Sequence, residues 1–461
     1  MKLMFPAFKK NIEQNRLICP GDTVLVGFSG GKDSVALIAM LQELQKSFPL
    51  TIIAAYFNHC LRPDAKEEEN WVRAFCEDRS IELHIGSRDL RRFRQENRLN
   101  LEHAASLSRY DFFASLASKI PGARVATAHS RSDLSETFFI KLFRGSGLQG
   151  LSAIFASKEK KIIRPLLIFS ADEIIDFLKR NRLEFYQDTT NLQDDFLRNR
   201  IRHQLLPAIK KIEPAIEERI FKTVLLIQDE FDYFQGQARE ILETHMLLDS
   251  ILPAKAFAGL HPALARHLAR EYLRRLKGNL LGVGFEHIAG FLESLESGRG
   301  LSLPGLNLKF SKGWIFPEKI RIGAYAQKIP ETGRWAVQVI GREIVLKKTD
   351  RFRQPTDNWE IIVPASCLTF PLTLRSAQSA DKYRKIHSPY RQSVFEMIRS
   401  SGFPAQLRNL CPLLENGDGK IIWVCGSPLA DAFAVEDHAA GPFVRIVIKM
   451  TQCLKINHRQ F

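Results

Sequence analysis

The stretch VLVGFSGGKDSVALIAML, residues Val24–Leu41, decides the fold. A β-branched apolar run leads into a glycine-glycine turn, and an apolar run with helical spacing follows it. The turn looks like the beginning of a Walker A phosphate loop, G-x-x-x-x-G-K-[ST], but the spacing does not fit. Gly27 and Gly31 are one residue too close together, and Lys32 is followed by Asp33 instead of the hydroxyl residue that holds Mg²⁺. Either this loop binds something other than the ligand of a Walker A loop, or it binds that ligand differently.

Strand-like and helix-like runs alternate around this loop, over residues 1–212. The predicted strands are Thr23–Phe28, Thr51–His59, Ile81–Ile85 and Ala123–His129. The predicted helices are Asp33–Phe48, Ala65–Arg79, Leu101–Lys119 and Ser132–Arg144, the last with Ser132 as its cap. Apolar strands that alternate with helices predict an α/β, Rossmann-like domain whose parallel sheet is covered on both faces.

The pattern changes after residue 212. Long helical runs predict a helical domain over 213–300, and short strand-like runs separated by Gly and Pro predict a strand-rich connecting region over 301–370. Strands mixed with one helix, Pro389–Ser401, predict a small mixed α/β C-terminal domain over 371–461. Several domains are expected because the chain is longer than a single hydrophobic core supports.

The composition is that of a soluble globular protein with a strong positive charge. The 461 residues carry a formal net charge of +15. This charge favours a polyanionic partner, with charge that serves solubility alone as the alternative. No apolar run reaches the ~18 residues of a membrane helix, and the N-terminus lacks the apolar segment of a signal peptide, so we expect a cytoplasmic protein. The seven cysteines form no C-x-x-C pair, which disfavours a disulfide framework and a zinc or iron–sulfur site.

The glycine-serine turn is predicted to lie where parallel sheets bind ligands. The loop after the first strand is at the carboxyl edge of the sheet, and the positive N-terminal end of the next helix adds to it. Backbone N–H groups, two serine hydroxyls and a lysine suit a pyrophosphate, with a plain glycine turn as the alternative. For Asp33, holding Mg²⁺ and capping its own helix are both open. The predicted cradle comprises Ser29, Gly30, Gly31, Lys32, Asp33 and Ser34.

The hexapeptide SGGKDS, Ser29–Ser34, is the signature of the PP-loop ATP pyrophosphatase superfamily, whose members cleave ATP between the α and β phosphates. Further strings resemble the tRNA(Ile)-lysidine synthetase family within that superfamily. They are NHCLRPDAKEEENWVRAFC (58–76), NLEHAASLSRYDFF (100–113), ATAHSRSDLSET (126–137), RGSGLQGLSAI (144–154), RPLL (164–167), DTTNLQDDFLRNRIRHQLLP (188–207) and FPAQLRNLCPLLENGDGKIIWVCG (403–426). The resemblance covers nearly the whole chain and is weakest at about 230–370.

The resemblance implies a specific ligase activity. ATP, with Mg²⁺, would activate the C2 carbonyl oxygen of the wobble cytidine of a tRNA(Ile) with a CAU anticodon. Free lysine would then attack C2 and release AMP, which gives lysidine. The basic run 266–279 is predicted to be a tRNA-facing helix, with a plain amphipathic helix as the alternative. The resemblance implies no protein partner and no membrane.

The candidate site residues follow the predicted strand Ala123–His129 and lie in the run RNRIRH. Asp133 is a candidate for metal or cytidine contact, with a capping carboxylate as the alternative. Arg198 and Arg202 are four residues apart, so on a helix they share a face that suits phosphate, unless this is only a solvated basic face. His59 ends the second predicted strand, where either an adenosine contact or a structural histidine fits. The resemblance assigns catalysis to Asp33, Asp133 and Arg198, a metal to Asp33, and substrate or tRNA contact to His129, Glu136, Arg200 and Arg202.

Four positions depart from the family pattern, one of them Ala380, where the family favours glycine. Ser106 replaces an arginine, Ser130 replaces the second histidine of a pair, and Ser132 replaces the first aspartate of a pair. The change at Ser132 removes a carboxylate, so either Asp133 suffices, or metal binding is shifted, or activity is reduced. Two alternatives therefore stay open: another PP-loop tRNA-modifying enzyme, and a non-catalytic RNA-binding relative.

Overall fold

The structure is a computed structural model that describes residues 4–59, 65–97, 101–158, 161–186, 197–355, 357, 359–400, 402–435 and 441–450. The chain forms two compact units, Met1–Asp232 and Tyr233–Phe461. The finer division into four segments stays a prediction. No helix among the described residues has the length and apolar character needed to cross a membrane.

The first unit alternates strands and helices, as predicted. Its strands are β1 Thr23–Gly27, β2 Thr51–Asn58, β3 Glu82–Ser87, β4 Arg124–Ala126, β5 Ser157–Lys158 and β6 Ile162–Ile163. Its helices are α1 Phe5–Gln14, α2 Lys32–Gln45, α3 Ala65–Asp78, α4 Leu90–Asn97, α5 Leu101–Lys119, α6 Arg131–Phe143, α7 Leu148–Leu151, α8 Ala171–Arg180, α9 Leu197–Arg200 and α10 Leu206–Ile212, followed by α11 Ile216–His245, which extends into the second unit.

These strands form one sheet in the order β3-β2-β1-β4-β6-β5. All neighbours are parallel except β5 and β6. Both faces of the sheet are covered: Val24 and Val26 pack into the core on one face, and Leu25 packs with Phe113 of α5 on the other. The predicted parallel-sheet α/β fold is confirmed, and the sheet presents the loops after β1, β2 and β4 along one edge.

The start of α6 differs from the prediction. The helix begins at Arg131, and Ser130, not Ser132, is its N-cap. The Ser130 hydroxyl accepts a hydrogen bond from the Asp133 backbone N–H, and the Asp133 carboxylate accepts one from the Ser130 backbone N–H at 2.8 Å. This reciprocal capping box outcompetes a cap two residues later, because it satisfies two otherwise unpaired donors.

The second unit combines helices with short antiparallel strands. Its helices are α12 Pro262–Lys277, α13 Phe285–Ser297 and α14 Val394–Ser400. Its strands are β7 Leu252–Pro253, β8 Leu301–Leu303, β9 Leu306–Ser311, β10 Trp314–Pro317, β11 Ala326–Ile329, β12 Gly333–Val337, β13 Arg342–Thr349, β14 Glu360–Pro364, β15 Leu372–Arg375, β16 Lys382–Tyr383, β17 Gln392–Ser393, β18 Leu413–Glu415, β19 Ile421–Val424 and β20 Phe443–Met450. The last predicted helix is shorter than expected, because β17 precedes it.

Two cores organise this unit. The sheet β7-β10-β9-β8 packs against α12 and α13 around the buried residues Tyr272 and Phe291. The sheets β11-β15-β18-β19 and β12-β13-β20-β14 share a second core that contains the buried Trp423. The predicted sequence of a helical region followed by mixed sheets is therefore confirmed.

Candidate active site

The loop between β1 and α2 leaves the N-terminus of α2 open. Gly30 has φ +74°, and a β carbon there would lie 3.1 Å from the ring of Trp71. Gly31 is the N-cap of α2, in extended conformation, and no side chain among the described residues caps the helix. The first backbone N–H groups of α2 are thus available to an anion, and they lie at the positive end of the helix dipole.

The polar side chains of this loop are held close to its backbone. The Ser34 hydroxyl donates to the Gly31 carbonyl at 2.9 Å and lies 3.4 Å from the Ser29 hydroxyl. Lys32 forms an ion pair with Asp33 at 2.9 Å. Burial raises the pKa of Asp33, and the nearby Asp133 carboxylate adds to this effect while Lys32 opposes it. Asp33 lies in the first turn of α2 but does not cap it, so the capping alternative is wrong in this structure.

A cavity of about 960 Å³ extends from this loop along the carboxyl edge of the sheet. It lies entirely within the first unit. Residues from α5, α6, α8, α10 and α11 complete its wall. The predicted residues that line it are Ser29, Gly31, Lys32, Asp33, Ser34, His59, His129, Asp133, Glu136, Arg198 and Arg202.

Two arginines and two carboxylates form a cluster in the cavity wall. Glu136 is 1% exposed, and its two carboxylate oxygens accept hydrogen bonds from Arg198 Nε at 2.8 Å and Arg202 Nε at 2.6 Å. Asp133 accepts from Arg198 Nη2 at 3.1 Å. Since both Glu136 oxygens are occupied, this carboxylate positions the two guanidinium groups, and direct contact with tRNA would need it to release them.

The arginines share a face although the helix between them is irregular. Arg198 lies in α9, and Arg202 lies in the π-helical turn, Ile201–Leu205, that follows α9. Such turns are frequent at functional sites. Arg200 is exposed and does not line the cavity. Its predicted contact with tRNA therefore stays a prediction for a surface outside this site.

The surroundings of His129 and Asp133 shift the pKa values of both side chains. Burial lowers the pKa of His129 to about 4, so its imidazole is neutral near pH 7. Its Nδ1 lies 2.9 Å from the Thr127 hydroxyl. Burial raises the pKa of Asp133, but Arg198, His129 and the hydrogen bonds from Ser130 outweigh burial and leave the pKa below its ordinary value. The site therefore holds an ionised carboxylate beside a neutral imidazole.

Comparison with known proteins gives the family. A family model described as a PP-loop domain matches residues 5–209. The tRNA(Ile)-lysidine synthase of Geobacter sulfurreducens is 30% identical over 425 residues, which cover 88% of this chain and 89% of that protein. This chain belongs to the tRNA(Ile)-lysidine synthase family.

Other tRNA(Ile)-lysidine synthases are similar over comparable lengths. The protein of Clostridium tetani is 26% identical over 446 residues, 92% of this chain and 94% of that protein. The protein of Geobacillus kaustophilus is 28% identical over 439 residues, 90% of this chain and 93% of that protein. The predicted family is confirmed, and with it the assignment as an ATP-dependent ligase.

The sequence analysis assigned no role to Arg109, an arginine of the family string at 100–113. Arg109 lies on α5 and lines the cavity. Burial lowers its pKa, and the proximity of Arg198 adds to this effect. A guanidinium keeps its proton in proteins, so the lowered pKa marks a buried charge that an anion would stabilise. The available signal was the Arg-Tyr pair of the family string at 100–113.

The prediction also missed an acidic cluster beside Ser132. The Ser132 hydroxyl donates to Glu217 at 3.2 Å and accepts from the Ala171 backbone N–H at 3.0 Å. Lys210 pairs with Glu217 at 3.1 Å and with Asp172 at 3.3 Å. Glu217 is 6% exposed and lines the cavity. The Glu217 carboxylate of α11 therefore lies beside Ser132, the position where the family string has an aspartate.

The donor set is compatible with Mg²⁺ only if phosphate takes part. Among the described residues, no group of three His, Cys, Asp or Glu side chains is arranged to hold a metal ion. Mg²⁺ is commonly held by one or two carboxylates together with substrate phosphates and water. The charge of Asp133 contributes to the raised pKa of Asp33, and both residues line the cavity. Asp33 of the phosphate loop and Asp133 of α6 are therefore compatible with a phosphate-bound Mg²⁺.

Proposed function

We propose that this protein ligates free lysine to C2 of the wobble cytidine of a tRNA(Ile) with a CAU anticodon and produces lysidine. The reaction would convert ATP to AMP and pyrophosphate through an adenylated tRNA. The observation that carries the proposal is one cavity that joins the uncapped N-terminus of α2 to three arginines and a neutral histidine. Similarity to lysidine synthases along nearly the whole chain supports it.

The phosphate loop would hold the two outer phosphates of ATP. Backbone N–H groups at the start of α2 and the hydroxyls of Ser29 and Ser34 are the donors, and Lys32 adds a cation. Gly30 allows the turn to bring its backbone close to the phosphates. Such a grip leaves the α phosphorus open to the cytidine oxygen. Mg²⁺, held by Asp33 and Asp133, would neutralise phosphate charge.

The arginines would stabilise the charge that develops on the α phosphate. Arg198 and Arg202 are held in place by the buried Glu136, so little reorganisation is needed during the reaction. Arg109 adds a third guanidinium that has no carboxylate partner among the described residues. His129, being neutral, can donate or accept one hydrogen bond at the edge of the cytidine without adding a charge.

Lysine needs a site for groups of both charges. The cluster of Lys210, Asp172 and Glu217 offers an ammonium and two carboxylates in the wall of the same cavity. The substrate carboxylate would pair with Lys210, and the α-ammonium with Glu217 or Asp172. The ε-amine would then be free to reach the activated cytidine.

Incubation with ATP, labelled lysine and a tRNA transcript that carries a CAU anticodon tests the proposal. We expect label in the tRNA and AMP in equal amounts, and neither when the wobble base is U. ADP in place of AMP, or equal labelling of both transcripts, would refute it. AMP release that needs tRNA but not lysine would favour another PP-loop tRNA-modifying enzyme, and tRNA binding without AMP release would favour a non-catalytic relative.

The variant Asp33→Asn separates chemistry from binding. We expect loss of AMP release with tRNA affinity retained, because the substitution removes a charge from the phosphate site and leaves the rest of the fold unchanged. Asp78→Asn is the matched control, since Asp78 is an exposed carboxylate at the end of α3. Equal activity of the two variants would contradict the assigned role.

A further inference from the structure

The chain at Tyr186 is hydrogen-bonded to the phosphate loop. The Tyr186 backbone N–H donates to the Gly30 carbonyl oxygen at 3.0 Å. Tyr186 and Gly31 both line the cavity. The bond joins residues that are far apart in the chain and belong to no common helix or strand, so neither a helical turn nor a strand pair accounts for it.

This hydrogen bond fixes the orientation of one peptide group. The peptide bond between Gly30 and Gly31 is trans, so its C=O and its N–H point in opposite directions. Because the carbonyl is turned towards Tyr186, the Gly31 N–H is turned away from it. No group among the described residues accepts a hydrogen bond from that N–H. The Gly31 N–H is therefore available to a phosphate oxygen at the start of α2.

The two glycines do not set this orientation by themselves. A peptide group flips when ψ of the first residue and φ of the second each rotate by about 180°, and neither glycine has a β carbon to hinder this rotation. A flip would change the φ of Gly31 from −71° to about +110°, which glycine tolerates and other residues rarely adopt. The flipped loop would present a carbonyl oxygen in place of the N–H, and a carbonyl cannot donate to a phosphate.

An aromatic ring packs against the loop at this hydrogen bond. A β carbon on Gly30 would lie 3.1 Å from the Trp71 ring. The same ring contacts the Tyr186 ring, with centroids 6.4 Å apart, and stacks on Phe75 at 5.2 Å. Trp71 thus shields one side of the bond from water, and a hydrogen bond is stronger where water is excluded.

We propose that Tyr186 is a positioning residue for ATP. Its backbone N–H holds the peptide group of Gly30 and Gly31 in the orientation that turns the Gly31 N–H towards the outer phosphates. Tyr186 acts through the Gly30 carbonyl and needs no contact of its own with ATP. This role rests on the proposed function, which places ATP at this loop.

An amide-to-ester exchange in the full-length protein tests this role. Replacement of Tyr186 by its α-hydroxy acid analogue, through nonsense suppression, exchanges the backbone N–H for an oxygen and keeps the side chain. The same exchange at Phe185 is the matched control, because the Phe185 N–H donates to no residue that the structure describes. Equilibrium dialysis measures the dissociation constant of ATP. We expect a rise of about fivefold for the Tyr186 ester, as for the loss of one hydrogen bond, and no change for the Phe185 ester.

The substitution Gly31→Ala gives a readout that a merely structural role would not move. At φ −71° an alanine fits, and its β carbon would make an ordinary contact with the Ser29 hydroxyl oxygen at 3.5 Å. The flipped orientation would be strained for alanine, so this substitution holds the peptide group in place without the hydrogen bond. In the Gly31→Ala protein, the Tyr186 ester should therefore raise the ATP dissociation constant by less than about twofold. A rise of about fivefold there as well would overturn the proposal.

ATP binding and lysine transfer distinguish this role from the proposed function. Unchanged ATP affinity of the Tyr186 ester, or an equal loss in the Phe185 ester, would refute the positioning role even if lysidine forms. Wild-type protein that binds ATP with the expected dependence on the Tyr186 N–H, but transfers no lysine to tRNA, would instead refute the proposed function.

Discussion

The substitution Gly30→Ala tests whether the loop after β1 needs a glycine. Gly30 has φ +74°, in the left-handed region, where a side chain costs about 1–2 kcal/mol. Its β carbon would also lie 3.1 and 3.2 Å from two ring atoms of Trp71 and 3.3 Å from Val72 Cγ2. Val72 is fully buried, and Trp71 stacks on Phe75 at 5.2 Å, so neither neighbour moves away freely.

The expected loss follows from adding these two effects. Overpacking of a tight site costs about 1–3 kcal/mol, so the total for Gly30→Ala is about 2–5 kcal/mol. Gly122→Ala provides the control, because Gly122 has φ +72° and no atom of the described residues lies within 4 Å of where its β carbon would be. That variant should lose only the backbone contribution of about 1–2 kcal/mol.

Urea unfolding measures the loss of stability, and the rate of AMP release measures the effect on ATP binding. Gly30→Ala should unfold at lower urea than Gly122→Ala, by a free energy of about 1–3 kcal/mol. It should also raise the KM for ATP about tenfold, because the backbone N–H groups at the start of α2 are displaced, whereas Gly122→Ala leaves that KM unchanged. Equal losses of stability together with equal KM values would refute the reasoning.

Three further predictions concern the cavity. In the folded protein His129 has a pKa of about 4, against 6.5 in the unfolded chain, so it is neutral near pH 7. The free energy of unfolding should therefore decline as the pH falls from about 6.5 towards 4. Urea titrations at several pH values should show a smaller decline for His129→Asn. Glu136→Gln should lower the free energy of unfolding by about 2 kcal/mol and should also lower the rate of AMP release. The loss is smaller than the value of about 3–5 kcal/mol for a fully buried ion pair, because the Arg198 and Arg202 side chains are a third or more exposed. Unchanged stability and an unchanged rate would contradict the positioning role of Glu136. Lys210→Met should raise the KM for lysine about tenfold at unchanged KM for ATP, while Lys211→Met on the same helix should change neither; equal KM values for lysine would remove Lys210 from the lysine site.

The phosphate loop and the sheet could be predicted because their determinants are local. A β-branched run, a glycine turn and an apolar helical run lie within Val24–Leu41, and each follows from propensity and periodicity. The family strings identified Asp133, Glu136, Arg198 and Arg202 before any geometry was available, and all four line one cavity. The cap of α6 was misplaced by two residues, because Ser130 and Ser132 are equally good caps in sequence and only the Asp133 hydrogen bonds distinguish them.

By itself, the sequence determined the parallel sheet, the phosphate loop and the family. The tertiary structure alone decided how the cavity is charged. Glu217 reaches Ser132 across 85 residues, and Arg198 reaches Glu136 across 62. Local rules extend over a helical turn or a strand pair, so they cannot show which distant charges meet. The lowered pKa of His129 likewise depends on burial among elements far apart in the chain, which no short string encodes.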